Sequence, residues 1–192
     1  DARVLRIDAH APRTALAQRA CEAYREAGGR IKAFSDGFGR AELVVDALFG
    51  IGLTREPDAE AGRVIDAINA SGLPVFSLDV PSGLDADRGS APGRVVQASH
   101  TLQLLGPHRG LHTGIAARCA GTLGLDTLDA DEALAGAPVA AWRLDRSHLR
   151  GWIAPRARDA HKGDSGHVLC IGGDAGKGGA VMLAADAALR SG

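Results

Sequence analysis

Short apolar runs alternate with stretches of helical period along this chain, and glycine or proline closes almost every one. Asp1 to Asp8 predicts a strand. After Pro12, the residues Leu16, Ala20, Ala23, Tyr24 and Ala27 recur at helical spacing until Gly28-Gly29 ends the helix. Gly29 to Phe34 predicts a second strand, and Asp36 to Gly39 a turn. Leu43 to Val45 forms a third apolar run; Ala61, Val64, Ile65 and Ile68 then mark a helix that stops near Ser71-Gly72. Pro74 to Ser77 opens a fourth strand. This β-α-β-β-α-β order argues for an α/β fold with a mainly parallel sheet covered by helices. Ala98 to Leu105 and Gly121 to Leu128 predict two more strands, with a turn at Gly106 to Gly110 between them.

From Asp129 the chain becomes rich in Ala and Asp, with Gly136 and Pro138, which predicts an inter-domain linker over residues 129–144. The pattern then restarts. Asp145 caps a short helix, and a loop runs through Pro155 to Asp164. His167 to Ile171 predicts a strand, Gly172 to Gly179 a glycine loop and Ala180 to Arg190 a helix. One strand and one helix cannot bury a core, so a second domain is expected to continue past Gly192. The chain also opens directly on a strand, which is expected of an internal fragment.

Two of the predicted strands end on an acid followed by a glycine turn: Asp46 before Ala47-Leu48-Phe49-Gly50, and Asp79 before Val80-Pro81-Ser82-Gly83. The carboxyl ends of strands are where open α/β sheets bind ligands. Two parallel strands would set Asp46 and Asp79 side by side at one rim. Strand-end acids also serve as simple caps, so the pattern leaves a structural role open. With Ser82 and the turn carbonyls, the carboxylates would form an oxygen site for a hard cation, and so few charges suit a monovalent one.

Charge and composition narrow the partners. The formal net charge of -1 provides no field for nucleic acid or an anionic membrane. No apolar run approaches the roughly 20 residues of a membrane span. Cys21, Cys119 and Cys170 are odd in number and never spaced CxxC, which predicts reduced thiols and a cytoplasmic protein. The 26 glycines, about twice the usual share, cluster after strands, where backbone must come close to a ligand.

Several familiar motifs fail on inspection. Val80 stands where a nucleophile elbow around Ser82 needs its first glycine. The loop Gly172 to Gly179 is one residue too short for a Walker cradle, and Gly178 replaces its Ser or Thr. It still precedes a helix, where backbone N–H groups favour an anion, and His161-Lys162 could add a phosphate contact. Arg55 replaces the third glycine of a dinucleotide fingerprint begun by Gly50-Ile51-Gly52. His108 and His112 are four apart, but Pro107 and Gly110 deny them a helix, so both are expected in a surface turn and zinc is not.

Four ordered segments carry a resemblance: VDALFGIGL (Val45 to Leu53), LDVPSGLDADRG (Leu78 to Gly89), PHRGLHTG (Pro107 to Gly114) and HKGDSGHVLCIGGDAGKGGA (His161 to Ala180). Together they resemble the bifunctional NAD(P)H-hydrate repair enzymes. In that family a Rossmann-like epimerase domain is fused to an ADP- or ATP-dependent dehydratase of ribokinase-like fold. The resemblance implies an epimerase domain over residues 1–128 and the start of a dehydratase over residues 145–192. It implies that Asp46 and Ser82 ligate K+, and that Asp79 with Gly50, Ile51, Gly52, Leu53, Thr54, Arg55 and Glu56 holds a hydrated NADH or NADPH. Ala180 would contact the substrate for dehydration, driven by ADP or ATP with Mg2+. Asp79 is the expected acid/base group, and a homo-oligomer is expected.

Two departures bear on activity. His108 stands where the family turn usually carries lysine, so a charge contact there becomes pH-dependent. The family's asparagine- and glycine-rich loop and the dehydratase's nucleotide site fall outside residues 1–192, so the polypeptide as given is expected to have neither activity. The rival readings are a non-catalytic binding module on the same fold and a small-molecule kinase, which the N-terminal motifs do not fit.

Overall fold

The computed structural model describes residues 2–35, 37–152 and 155–191, which form two compact units, residues 1–141 and 142–192. In the first, β1 (Val4–Arg6), α1 (Ala15–Glu26) and β2 (Ile31–Ala33) form a parallel pair joined through a helix. Then follow β3 (Val44–Asp46), α2 (Ala59–Ala70), β4 (Val75–Leu78), β5 (His100–Leu104), α3 (Ala116–Cys119), β6 (Thr122–Asp126) and α4 (Asp131–Ala135). Strands β3 to β6 make one parallel sheet in sequence order, flanked by helices. All six expected strands of this unit form at their predicted places, and the architecture is the Rossmann-like α/β type. Position Asp36, in a predicted turn, lies outside the described residues.

Helix α2 locks the sheet. Asp58 caps it by accepting the Ala61 N–H at 2.9 Å, and that bond, with the His10 ring, holds the Asp58 carboxyl below its ordinary value. Ala61, Val64, Ile65 and Ile68 recur at helical spacing and are buried against Ile7, Val44, Val75 and Val96. Each buried Val or Ile there contributes about 1.5–3 kcal/mol. A second cluster of Val80, Leu84, Ala86, Leu111, Ala116, Cys119 and Ala120 fixes the loops after β4 and β5. Burial pushes the Cys119 thiol up, and all three cysteines are free.

The β4 exit is shaped by one glycine in particular. Gly83 has φ +100°, and a Cβ there would lie 2.0 Å from the Arg94 carbonyl oxygen. The close approach also lets Val96 N–H reach the Ser82 carbonyl at 2.9 Å, which draws the following loop back across the site.

One expectation about the chain after residue 128 meets a different outcome, the strand at residues 167–171. The predicted linker contains α4, whose first turn carries Asp131 and Glu132, and the division between units falls after Ala141. In the second unit α5 (Arg146–Trp152) forms as expected, with Asp145 accepting from the Ser147 and His148 amides. The Ser147 hydroxyl, then the His148 ring and those amides, hold the Asp145 carboxyl down at about 2. Helix α6 (Gly179–Ser191) also forms, but residues 167–171 are not a strand. Val168, Leu169 and Ile171 are 73%, 82% and 87% exposed. The reason is physical: a strand needs a neighbour for its N–H and C=O groups, and this unit has no strand among its described residues.

Candidate active site

The site forms where β3 and β4 end. Asp46 is opposite Ser77 in the β3–β4 register, so the two side chains share a face. Asp46 is 1% exposed and acts as the hub of the two strand exits. Its Oδ2 accepts the Ser77 hydroxyl at 2.8 Å and the Ser82 N–H at 2.9 Å; its Oδ1 accepts the Ser82 hydroxyl at 2.6 Å. Ser82 Oγ in turn accepts the Phe49 N–H at 2.9 Å. One carboxylate thereby ties the loop after β3 to the loop after β4.

A cation at this hub would find oxygen ligands in Asp46, Ser82 and the Phe49 carbonyl. Ser82 Oγ lies 2.6 Å from Asp46 Oδ1 and 3.4 Å from the Phe49 carbonyl oxygen, so three oxygens from three segments converge. The buried carboxylate forms no ion pair among the described residues. A monovalent cation would balance that charge with these oxygens as ligands.

Asp79 is placed differently. It sits just past β4 with φ 71°, in a tight turn closed by the Val80 N–H to the Leu78 carbonyl at 2.9 Å. Such a backbone is strained for a residue with a side chain, and strain of this sort gathers at functional sites. The turn aims the carboxylate at two donors. Oδ2 accepts the Ile51 N–H at 3.0 Å, and Oδ1 pairs with His108 Nε2 at 2.8 Å. Both side chains keep a solvent-facing part, 19% for Asp79 and 17% for His108.

The two acids therefore do not lie side by side as expected. Asp46 is buried in the hub with Ser82, and Asp79 is held at the rim against the Gly50-Ile51 backbone. The turn explains the split: strand alternation alone would put Asp79 on the face of Ser77 and Asp46, but Asp79 lies past the ladder in a left-handed bend. Gly50 allows the close approach, because a Cβ there would stand 2.6 Å from Asp79 Oδ2. Gly50→Ala is accordingly expected to push the Asp79 carboxylate off the Ile51 N–H. Crystallography or amide exchange at Ile51 would register the lost bond, with a cost of about 1 kcal/mol.

Beside Gly50 a hollow of about 350 Å³ is lined by Leu48, Phe49, Gly50, Gly52, Leu53, Thr54 and Arg55. Five of the seven loop residues expected to bind ligand thus line one cavity; Ile51 offers its backbone N–H to Asp79 instead. A larger groove of about 820 Å³ runs between β1 and β3 and includes Asp46 in its lining. Ala180 stands in the first turn of α6 in the second unit, exposed. His161 is spent on a local cap: its Nδ1 accepts the Gly163 N–H at 3.2 Å, and Asp164 accepts the His161 N–H at 3.0 Å.

Three site residues were missed or placed differently by the sequence reading. His108 is not an ordinary surface-turn histidine: its ring reaches Asp79, and its backbone N–H donates to Gln103 Oε1 at 2.9 Å. Gln103 is 4% exposed and donates onward to the Gly124 carbonyl at 3.2 Å. The third is Ser77. Its signal was present, since it is the lone polar residue in an apolar strand, where a buried partner is required; Gln103 shares its strand with His100 and Thr101 and stood out less. His108 was marked by its departure from the family turn, but its partner was not, because the contact spans 29 residues.

Fold and site define a Rossmann-like α/β domain that presents a carboxylate, a glycine-rich loop and an oxygen-lined hub at the carboxyl ends of parallel strands. Residues 1–110 match the family described as YjeF-related protein N-terminus. The chain belongs to that family. It is 40% identical over 172 residues to the bifunctional NAD(P)H-hydrate repair enzyme Nnr of Escherichia coli K12, covering 89% of this chain and 33% of that protein. The Nnr protein of Coxiella burnetii is 45% identical over 154 residues, 80% of this chain and 32% of that protein. The NAD(P)H-hydrate epimerase of Achromobacter xylosoxidans is 45% identical over 112 residues, 58% of this chain and 53% of that protein. The chain thus spans about a third of the bifunctional relatives and about half of the epimerase.

Proposed function

We propose that this chain is the epimerase part of a bifunctional NAD(P)H-hydrate repair enzyme. Its reaction interconverts the R and S forms of NADH or NADPH hydrated at C6 of the nicotinamide ring. In the parent protein the S form is then dehydrated at the expense of ADP or ATP with Mg2+, in a domain that begins within residues 142–192. Support comes from the activities for which the relatives are named and, in the structure, from one observation above the rest. Asp79 is a strained, rim-facing carboxylate held between a glycine-loop N–H and an imidazole.

The chemistry requires such a group. Protonating the C6 hydroxyl lets it leave as water, and the electron pair of the ring nitrogen forms the N1=C6 double bond. Water then adds to the opposite face and gives up a proton, so atoms and charge balance over the cycle. Asp79 would hold that proton at the departing and returning oxygen, a role that accelerates such steps by about 10²–10⁴. The hollow beside Gly50 would seat the nicotinamide end, and the bare backbone of Gly50 and Gly52 lets it come close. Asp46 and Ser82 would hold K+, which would supply a fixed positive charge beside the nucleotide's phosphates.

Two measurements test this reading. Chromatographic separation of the two hydrates should reveal R-to-S conversion by the parent polypeptide; no conversion would refute it. For the cation, melting of residues 1–192 in K+ against Na+ should give a higher midpoint in K+. At a hundred times its dissociation constant a bound ion adds about 2.7 kcal/mol. Ser82→Ala should remove the difference. A binding module that has no use for the cation would melt alike in both salts.

A further inference from the structure

Among the described residues His108 is the one ionisable side chain paired with Asp79, and its placement is built at three points. Its ring Nε2 stands 2.8 Å from Asp79 Oδ1, its backbone N–H is fixed on buried Gln103, and Gln103 is fixed on β6 through the Gly124 carbonyl. Contacts from the β4 exit and from within β5, itself tied to β6, thus place one imidazole. Leu105 helps to set this up. With φ 67° it turns the chain just past β5, closed by the Gly106 N–H to the Leu104 carbonyl at 2.8 Å. The same kind of turn sits at Asp79, so adjacent strands end in matched left-handed bends that bring carboxylate and ring together.

The charged groups around the ring are otherwise engaged. Arg109, the next residue, donates its Nε to the Asp87 carbonyl at 2.8 Å. The Arg88 and Asp87 amides hold Asp85, with its carboxyl below the ordinary value. Asp126 on β6 accepts the Leu128 N–H at 2.8 Å. His112 lies at the far end of the short 3-10 turn Arg109–His112. Asp79 is the ring's ion-pair partner among the described residues.

We propose that His108 is the positioning residue of the reaction, a proton partner that sets the orientation and protonation of Asp79. The proposal rests on the epimerase reading given above. With Oδ2 anchored on the Ile51 N–H, the carboxylate can rotate only if it leaves both partners, so His108 completes a two-point clamp. A proton that Asp79 takes from returning water passes from Oδ1 to Nε2; the ring then carries it, and the next cycle draws it back to Oδ1. Imidazole is the side chain that changes charge between about pH 5 and 8, so this partner imposes a pH limb on the reaction. A lysine at the same turn, titrating near 10.4 in its ordinary state, clamps the carboxylate but supplies no such limb.

The test compares His108→Lys, His108→Gln and His108→Ala in the parent polypeptide, following R-to-S conversion from pH 5 to 9. His108→Ala should lower kcat by about 10²-fold or more with KM little changed. His108→Lys should restore much of the rate with the limb gone, and His108→Gln should restore position without proton transfer. Wild-type kcat and pH profile in His108→Ala would overturn the proposal, as would an unchanged limb in His108→Lys. A second readout needs no turnover: the His108 ring 15N shifts, titrated in residues 1–192 and in Asp79→Asn. A midpoint that moves down in Asp79→Asn supports the coupling, and identical curves overturn it. If the parent polypeptide converts no hydrate while the ring midpoint still depends on Asp79, the epimerase reading fails and the pair stands.

Discussion

Asp46→Ala is expected to cost about 3–6 kcal/mol of stability, the largest effect of any single substitution at the site. The mutation leaves the Ser77 hydroxyl and the Ser82 N–H as buried donors with no acceptor, and leaves the Ser82 hydroxyl only the Phe49 carbonyl at 3.4 Å. Each orphaned buried donor costs about 1–3 kcal/mol, more when its lost partner was charged. At about 2–4 °C per kcal/mol for a chain of this size, the melting midpoint should fall by roughly 10–20 °C. Ser82→Ala should cost less, because one hydroxyl leaves and the carboxylate keeps the Ser82 N–H and the Ser77 hydroxyl. Ser77→Ala should cost least. Thermal or urea melts of the three variants give the order directly. A loss under about 1 kcal/mol in Asp46→Ala would mean that the two strand exits hold together by apolar packing alone.

Asp79→Asn is expected to do the reverse, leaving the fold intact and removing the chemistry. Asparagine tolerates the left-handed backbone that Asp79 adopts at φ 71°, and its amide oxygen can still accept the Ile51 N–H. The side chain is partly exposed, so no buried charge is stranded. What disappears is the group that gives and takes a proton. Conversion of R to S hydrate in the parent polypeptide should slow by about 10²–10⁴-fold while the melting midpoint holds within about 2 °C. A rate within threefold of wild type would reduce Asp79 to a latch for the Gly50-Ile51 loop. The contrast between the two acids follows from burial: Asp46 is sealed in the hub and acts on stability, whereas Asp79 faces the rim and acts on rate.

Much of the first unit was legible in the residues alone. The apolar period of Ala61, Val64, Ile65 and Ile68 specifies a helix whose buried stripe is formed by those four positions. The runs before Asp46 and Asp79 specify strands, and the spacing between them leaves room for one crossover helix, which makes them parallel. The family resemblance, rather than local chemistry, marked the loop Gly50 to Glu56, and five of its residues line the hollow. The helix and strand inferences use neighbours within a helix turn or a strand pleat, where the period of the side chains is fixed by backbone geometry.

Tertiary structure decided what those local rules could not. That Asp46 faces inward to two serines while Asp79 faces outward depends on a left-handed turn and on the β3–β4 register, neither written in either acid. That His108 belongs to the site depends on the pairing of β4 with β5, which brings residues 29 apart within 2.8 Å. That residues 167–171 form no strand depends on partners, since extended chain becomes a strand only when another strand lies beside it. Sequence alone determined the elements and the stock of reactive groups. Which groups meet, and which of them remain open to solvent, was decided by long-range pairing.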